Sequence, residues 1–185
     1  MSTLGGSIRP GEINGPNPIR HAIKLELNTE QLWRNSSNPA ASFRWPARNA
    51  DGDTGEYGKF NTSNRALAMG ALLAIPPSLS ETSLGLQSAQ GRKIFQVLQN
   101  YGAYIVDTSG GTGYKPNGGF PINIAAESSV VKNEFNFSGS PSSNQAWFSD
   151  MKKMLAAVKV IDNNSPGSIG GGGTPRRPLA PPFSN

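Results

Sequence analysis

The sequence predicts a mainly β domain: an antiparallel β-sandwich with two short amphipathic helices packed on it. Three observations point there. Glycine and proline are abundant, 22 and 15 of 185 residues, and so much of both favours turns between many short elements over long helices. Ile19 to Leu27 alternates strictly, with Ile19, His21, Ile23, Leu25 and Leu27 on one face and Arg20, Ala22, Lys24 and Glu26 on the other, the period-two signature of a half-buried strand. Only two segments carry a helical period.

Residues 1–18 are rich in Gly, Pro and Asn and read as an extended lead-in to that strand. After it, Asn28-Thr29 caps a short helical turn that ends near Trp33. Phe43-Arg44-Trp45 reads as a short strand stopped by Pro46. Residues 47–66 are polar and read as a long loop, and loops of that length in compact domains are often functional. Ala66 to Ile75 is apolar up to Pro76-Pro77 and suits a buried strand or a helical turn, which periodicity alone does not separate.

Ser88 to Tyr101 is the clearest helix, with Ile94, Val97, Leu98 and Tyr101 on one face and Gly102 placed for a left-handed C-terminal cap. Ala103 to Thr108 reads as a buried strand with Asp107 near its end, followed by a Gly-rich turn region to Gly119. Phe120–Ala126 and Glu134–Phe137 are strand candidates. A second helix spans Gln145–Val158, with Phe148, Met151, Leu155 and Val158 on one face, and Val158–Ile161 is a last short strand. These elements form one domain over residues 1–161. The Gly/Pro-rich tail, 162–185, has no period of its own. It is expected to order by docking Ile169, Leu179 and Phe183, because proline lowers the entropy cost of fixing such a segment and burying one Leu or Phe contributes about 1.5–3 kcal/mol.

The totals exclude several classes. Charged residues are 16% of the chain, below the quarter or so of an average globular protein. There is no cysteine, so disulfides and thiolate metal sites are excluded. His21 is the single histidine, which leaves no His-rich copper or zinc site within one chain. No metal or other cofactor is expected. Asp51-Gly52-Asp53-Thr54-Gly55-Glu56 faintly resembles a calcium loop, but its twelfth position is Thr62 where the motif needs Glu. Gly170–Gly173 is not a phosphate loop, since no Lys-Ser/Thr follows and Pro175 blocks a helix. The net charge is +5, yet the basic residues are scattered apart from Lys152-Lys153 and Arg176-Arg177. Without a basic stripe interleaved with aromatics, nucleic acid is not an expected partner. No apolar run reaches the ~18–20 residues of a membrane span, and the first residues lack the pattern of a signal peptide in this numbering.

Candidate chemistry centres on two residues that are polar within apolar strands, His21 and Asp107. Histidine titrates near neutrality and serves as a general acid or base, and a carboxyl held in an apolar cleft suits acid catalysis. Each has an ordinary reading as well: a core histidine bonded to the backbone, and an aspartate that forms a turn. As a catalytic pair they would lie on adjacent strands, within about 8 Å of each other, the reach of a direct or single-water bridge. Arg44, Trp45, Arg48 and Tyr104 are the substrate-binding candidates. Aromatic rings stack on the apolar face of a sugar, and arginine bonds hydroxyls or uronate carboxylates. Asp51, Asp53, Glu56 and Asp107 are the carboxylates from which a glycosidase pair, about 5–9.5 Å apart, would be drawn. The ordinary reading has Trp45 in the core and the aspartates in a solvated loop.

Several stretches carry a family likeness in order: Gly6-Ser7-Ile8-Arg9-Pro10-Gly11-Glu12-Ile13, Ile19-Arg20-His21-Ala22, Arg44-Trp45-Pro46-Ala47, Met69 to Pro76, Leu98 to Asp107, and Gly170 to Pro182. Together they resemble a largely uncharacterised family of exported bacterial proteins. The resemblance implies a jelly-roll-like β-sandwich, an extracellular location and an association with polysaccharide. It also implies that this chain corresponds to the C-terminal portion of longer members, with a departure at Ser109–Ile124. A sandwich lacking its other part exposes strand edges that invite self-association or a partner chain.

The expected function is therefore an extracellular polysaccharide-acting or polysaccharide-binding domain, a glycoside hydrolase or polysaccharide lyase if it is an enzyme. The alternative is a non-catalytic structural subunit of a filament, coat or other assembly, joined through strand edges and the C-terminal tail.

Overall fold

A computed structural model describes residues 6–52, 54–60, 63–108, 122–124, 133–134, 146–174 and 176–177, with 122–124 described for the backbone alone. The strands are β1 (Ile23–Leu27), β2 (Leu72–Ala74), β3 (Ala103–Thr108), β4 (Ile122–Ile124) and β5 (Lys159–Val160); the helices are α1 (Ala89–Asn100) and α2 (Ala146–Ala157). All five strands lie in one mixed sheet of order β4-β1-β3-β2-β5. β1 and β3 are parallel, pairing Ile23 with Ala103 and Leu25 with Ile105, and the register slips by one residue so that Glu26 faces Asp107. The β1/β4, β2/β3 and β2/β5 pairs are antiparallel.

The expected antiparallel, jelly-roll-like sandwich is thus overturned. The described residues form a single sheet whose central pair is parallel, with two helices. The reason lies in β1. A half-buried strand turns its polar face to water, but here Lys24 is buried along with Ile23, Leu25 and Leu27. Both faces of β1 are covered, as suits a strand beside a parallel neighbour. A parallel neighbour needs a long crossover rather than a hairpin, and residues 28–102, which include β2 and α1, supply it.

Helix α1 forms as its pattern predicts. Ser88 is its N-cap, accepting a hydrogen bond from the Gly91 amide, and Ile94, Phe95, Val97 and Leu98 are buried. At its end the Tyr101 and Gly102 amides both donate to the Val97 carbonyl, at 2.8 and 2.9 Å. Gly102 has φ +75, a conformation glycine adopts without steric cost. A Cβ there would sit 2.7 Å from the Leu73 carbonyl oxygen, so the chain turns from α1 into β3 tight against β2.

Other elements differ from expectation. Phe43–Trp45 is not a strand; a single bridge from Phe43 to Met69 is all that forms. Of Ala66–Ile75, only Leu72–Ala74 is strand. Of Glu134–Phe137, Glu134 is helical and the rest lies outside the described residues. The lead-in is not merely extended, since Ile8, Ile13 and Ile19 are core residues alongside Ile23, Leu98 and Ile105. In the tail, Ile169 is not the expected anchor, being 71% exposed. The segment is held instead by buried Asn164, whose Oδ1 accepts from the Gly170 amide at 2.9 Å and whose Nδ2 donates to the Tyr104 hydroxyl at 3.4 Å. Arg176 adds hydrogen bonds to Gln99 and Asn100. Leu179 and Phe183 lie outside the described residues.

Candidate functional site

The residues nominated for acid–base chemistry do not meet. His21 precedes the first residue of β1 by two positions, while Asp107 pairs in register with Glu26 near its other end. Along β1 alone, Ile23 to Glu26 spans roughly 10 Å at ~3.3 Å per residue, and His21 lies two residues before that strand begins. His21 pairs instead with Glu12, Nε2 lying 3.1 and 3.2 Å from the two carboxylate oxygens, while Nδ1 lies 2.9 Å from the Ala22 carbonyl oxygen. Asp107 is exposed and accepts from the Thr108 amide at 2.8 Å, the turn-forming role.

The substrate-binding candidates are also dispersed. The Arg44 guanidinium donates to the Ala66 carbonyl at 3.1 Å, to the Asp162 carboxylate at 3.0 Å and to the Asp162 carbonyl. It therefore ties the segment after β5 to the loop before β2. Trp45 is half-buried and Arg48 exposed. Tyr104 sits on β3 between Lys24 of β1 and Leu72 of β2, and burial raises its phenol above the usual value of 10.0.

Other carboxylates have structural roles that the sequence did not reveal. Asp150 on α2 is fully buried. It accepts from the Gln87 amide at 3.0 and 3.1 Å, the Ser88 amide at 2.8 Å and the Ser88 hydroxyl at 2.6 Å. A carboxylate at that end of α1 also meets the positive end of the helix dipole. Glu134 accepts from the amides of Gly11, Ile13 and Asn14, which fixes the lead-in. Asp51 accepts from the Tyr57 hydroxyl at 2.8 Å, Glu56 is exposed, and Asp53 lies outside the described residues. Among the described residues no group of three or more His, Asp or Glu side chains is placed to hold a metal ion, and no helix is long and apolar enough to cross a membrane.

What the fold does assemble is a layer of three segments carrying aromatic and cationic side chains. Residues 30–33, which run from the turn after β1, are hydrogen-bonded to residues 58–60 on one side and to Leu67 on the other. The Phe60 amide donates to the Glu30 carbonyl, the Gly58 amide to the Leu32 carbonyl and the Trp33 amide to the Leu67 carbonyl, each at 2.8 Å. Asn28 caps the turn by accepting from the Glu30 amide. The Glu30 carboxylate, fully buried, is ion-paired with the Lys59 ammonium. That bond holds the Lys59 pKa above its usual 10.5, with a further push from the charge of Glu30.

On this layer the Arg65 guanidinium lies 5.0 Å from the centre of the Trp33 ring, and the Lys59 ammonium lies 5.8 Å from the centre of the Phe60 ring. Both are within cation–π range. Phe60 is 55% exposed, one of two large apolar side chains in the described residues that stand out in solvent. The clue in the sequence was the long loop 47–66, which contains Lys59, Phe60 and Arg65. Its pairing with Trp33 across some thirty residues left no trace in local periodicity.

The raised Lys59 and Tyr104 groups set an alkaline limit to stability. A folded-state pKa above the unfolded value contributes stability that is complete below the unfolded value and lost as pH rises through the folded one. The melting temperature is thus expected to hold up to about pH 10 and to fall above it. Tyr104→Phe, which removes one of the two groups, should make that fall shallower. A melting temperature that rises between pH 9 and pH 11, each about a unit either side of the tyrosine reference value, would contradict these assignments.

No family model, curated protein or solved structure matches this chain.

Proposed function

We propose that this chain is a non-catalytic polysaccharide-binding domain that works outside the cell, and that its binding surface is the Trp33–Lys59–Phe60–Arg65 layer. The observation that carries the reading is the exposed Phe60 ring beside a lysine, on the same hydrogen-bonded layer as an arginine stacked on tryptophan. Flat aromatic faces offer apolar contact to sugar rings at low entropy cost, and the flanking cations supply hydrogen-bond donors for hydroxyl and acid groups. Binding suits the remaining chemistry better than hydrolysis does. His21, ahead of β1, and Asp107, near the end of β3, stand apart, and the buried carboxylates Glu30 and Asp150 are engaged by a lysine and a helix end. The extracellular location and the polysaccharide class draw on the family likeness of the stretches from Gly6 to Pro182.

An assembly subunit is the competing reading. The described tail favours the binding module, since Asn164 and Arg176 bond to Tyr104, Gln99 and Asn100 of their own domain rather than reaching away from it.

The test is a glycan array followed by affinity measurements on the strongest hit, using the whole chain and the Phe60→Ala variant. Loss of the ring should weaken binding about tenfold, equivalent to 1.4 kcal/mol, while the melting temperature stays close to that of the unaltered protein, as exposed substitutions usually allow. No binding to any glycan, or equal binding by the variant, would refute the proposal.

A further inference from the structure

We infer that the polymer bound at this layer is anionic, a polyuronate or a sulfated glycan, and that Arg65 and Lys59 read its charge. The inference rests on the proposed binding surface and goes further by assigning its ligand chemistry. Arg65 and Lys59 each lie over an aromatic ring, so each pair places a cation next to an apolar surface. That pairing fits a sugar whose ring is apolar on one face and whose substituent is an acid.

The two pairs are close enough to serve one chain. Phe60 is hydrogen-bonded to Glu30, and Trp33 is three residues further on. Since extended chain spans at most ~3.6 Å per residue, the two aromatic residues lie within about 15 Å of one another, a few sugar rings apart. Lys59 keeps its charge here because Glu30 raises its pKa. Its side chain is 59% accessible, and an ammonium has three donors, so pairing with Glu30 does not use them all. Arg65 is exposed beside the Trp33 ring, and a guanidinium is a planar fork that matches a carboxylate or sulfate in two parallel hydrogen bonds. The net charge of +5 acts in the same direction at longer range.

The experiment compares polygalacturonate with the same polymer after full methyl esterification, which keeps every ring and removes every charge. A single-stranded oligothymidylate serves as a second anionic probe. Binding to polygalacturonate should fall at least tenfold on esterification, and about tenfold in Arg65→Gln. It should weaken further as salt rises from about 0.1 M to about 1 M, where the screening length contracts from ~10 Å to ~3 Å. Equal binding of the esterified polymer would overturn the anionic assignment while leaving the polysaccharide-binding surface in place. Preferential binding of the oligothymidylate would overturn both, since the surface would then serve nucleic acid. Loss of the Arg65→Gln effect, with binding otherwise intact, would move the anion contact away from this layer and so overturn the inference.

Discussion

Asp150→Ala is expected to lower stability by about 3–5 kcal/mol, the largest effect of any single substitution considered for this chain. The carboxylate is fully buried and takes hydrogen bonds from two backbone amides and the hydroxyl of Ser88. Removing it leaves two part-buried amides without an acceptor, each costing about 1–3 kcal/mol. It also loosens the cap of α1, since the Ser88 hydroxyl that accepts from Gly91 is itself oriented by Asp150. The loss falls on the contact between the two helices, so no other part of the fold can absorb it. Against a total stability of about 5–15 kcal/mol, the variant should melt about 6–20 °C below the unaltered protein, at roughly 2–4 °C per kcal/mol for a chain of this size. Asp150→Asn keeps one acceptor oxygen and should lose less. A thermal scan by circular dichroism measures both, and a shift under ~2 °C for the alanine variant would show that Asp150 does not hold α1 to α2.

Gly91→Ala is expected to destabilise the protein although it improves the helix. In an isolated helix, alanine is favoured over glycine by about 0.8–1 kcal/mol. Here α2 approaches α1 so closely that a Cβ on Gly91 would lie 2.7 Å from the Asp150 Cβ and 2.8 Å from the Ser88 hydroxyl oxygen, and closer still to the Asp150 carboxylate. The group in the way is a short, buried side chain held by three donors, and it cannot move without giving up its hydrogen bonds. Overpacking of this kind costs about 1–3 kcal/mol, and displacing the carboxylate adds lost bonds of the Asp150→Ala kind. The net expectation is a loss of about 2–4 kcal/mol. Denaturant unfolding should show a lower midpoint with an unchanged slope. A midpoint equal to or above that of the unaltered protein would mean the helices stand farther apart than the Gly91–Asp150 contact requires.

The elements of this fold were more legible than their arrangement. The α1 pattern, its Ser88 start and its Gly102 stop are local, so the sequence reads them directly. The strand β3 was equally plain from its apolar run, whereas of the alternating Ile19–Leu27 only Ile23–Leu27 is strand. Period two does not say whether two strands run parallel, however, and the sandwich expectation took the Arg20–Glu26 face of β1 to be solvated. The burial of Lys24 on that face is a tertiary event with no local signature. The inner face of α2 was read only in part for a related reason. Of the expected inner residues Phe148, Met151, Leu155 and Val158, Met151 is buried and Leu155 and Val158 pack against the core, but the expectation missed Asp150 and Met154, which are fully buried. An aspartate reads as a solvated position until its donors, which lie some sixty residues away on α1, are known.

The candidate site follows the same division. The 47–66 loop was singled out by its length and polarity, while the contacts that join it to Trp33 were not legible. Trp33 and Arg65 are joined only by the backbone bond from Trp33 to Leu67 and by their stacked side chains. The aromatic residue that sequence reasoning chose, Trp45, is half-buried, and the arginine it chose, Arg44, is committed to Asp162.

Glycan binding at the Trp33–Phe60 layer is the claim on which the functional account stands, and amide and side-chain chemical shifts of the isotope-labelled protein, followed as polygalacturonate is added, test it residue by residue. The account predicts that the Trp33 indole N–H, the Phe60 amide and the Arg65 side-chain N–H shift together and saturate together, while His21 and Asp107 stay in place. Shifts that cluster at His21, Asp107 or Tyr104 and spare Trp33 and Phe60 would contradict it.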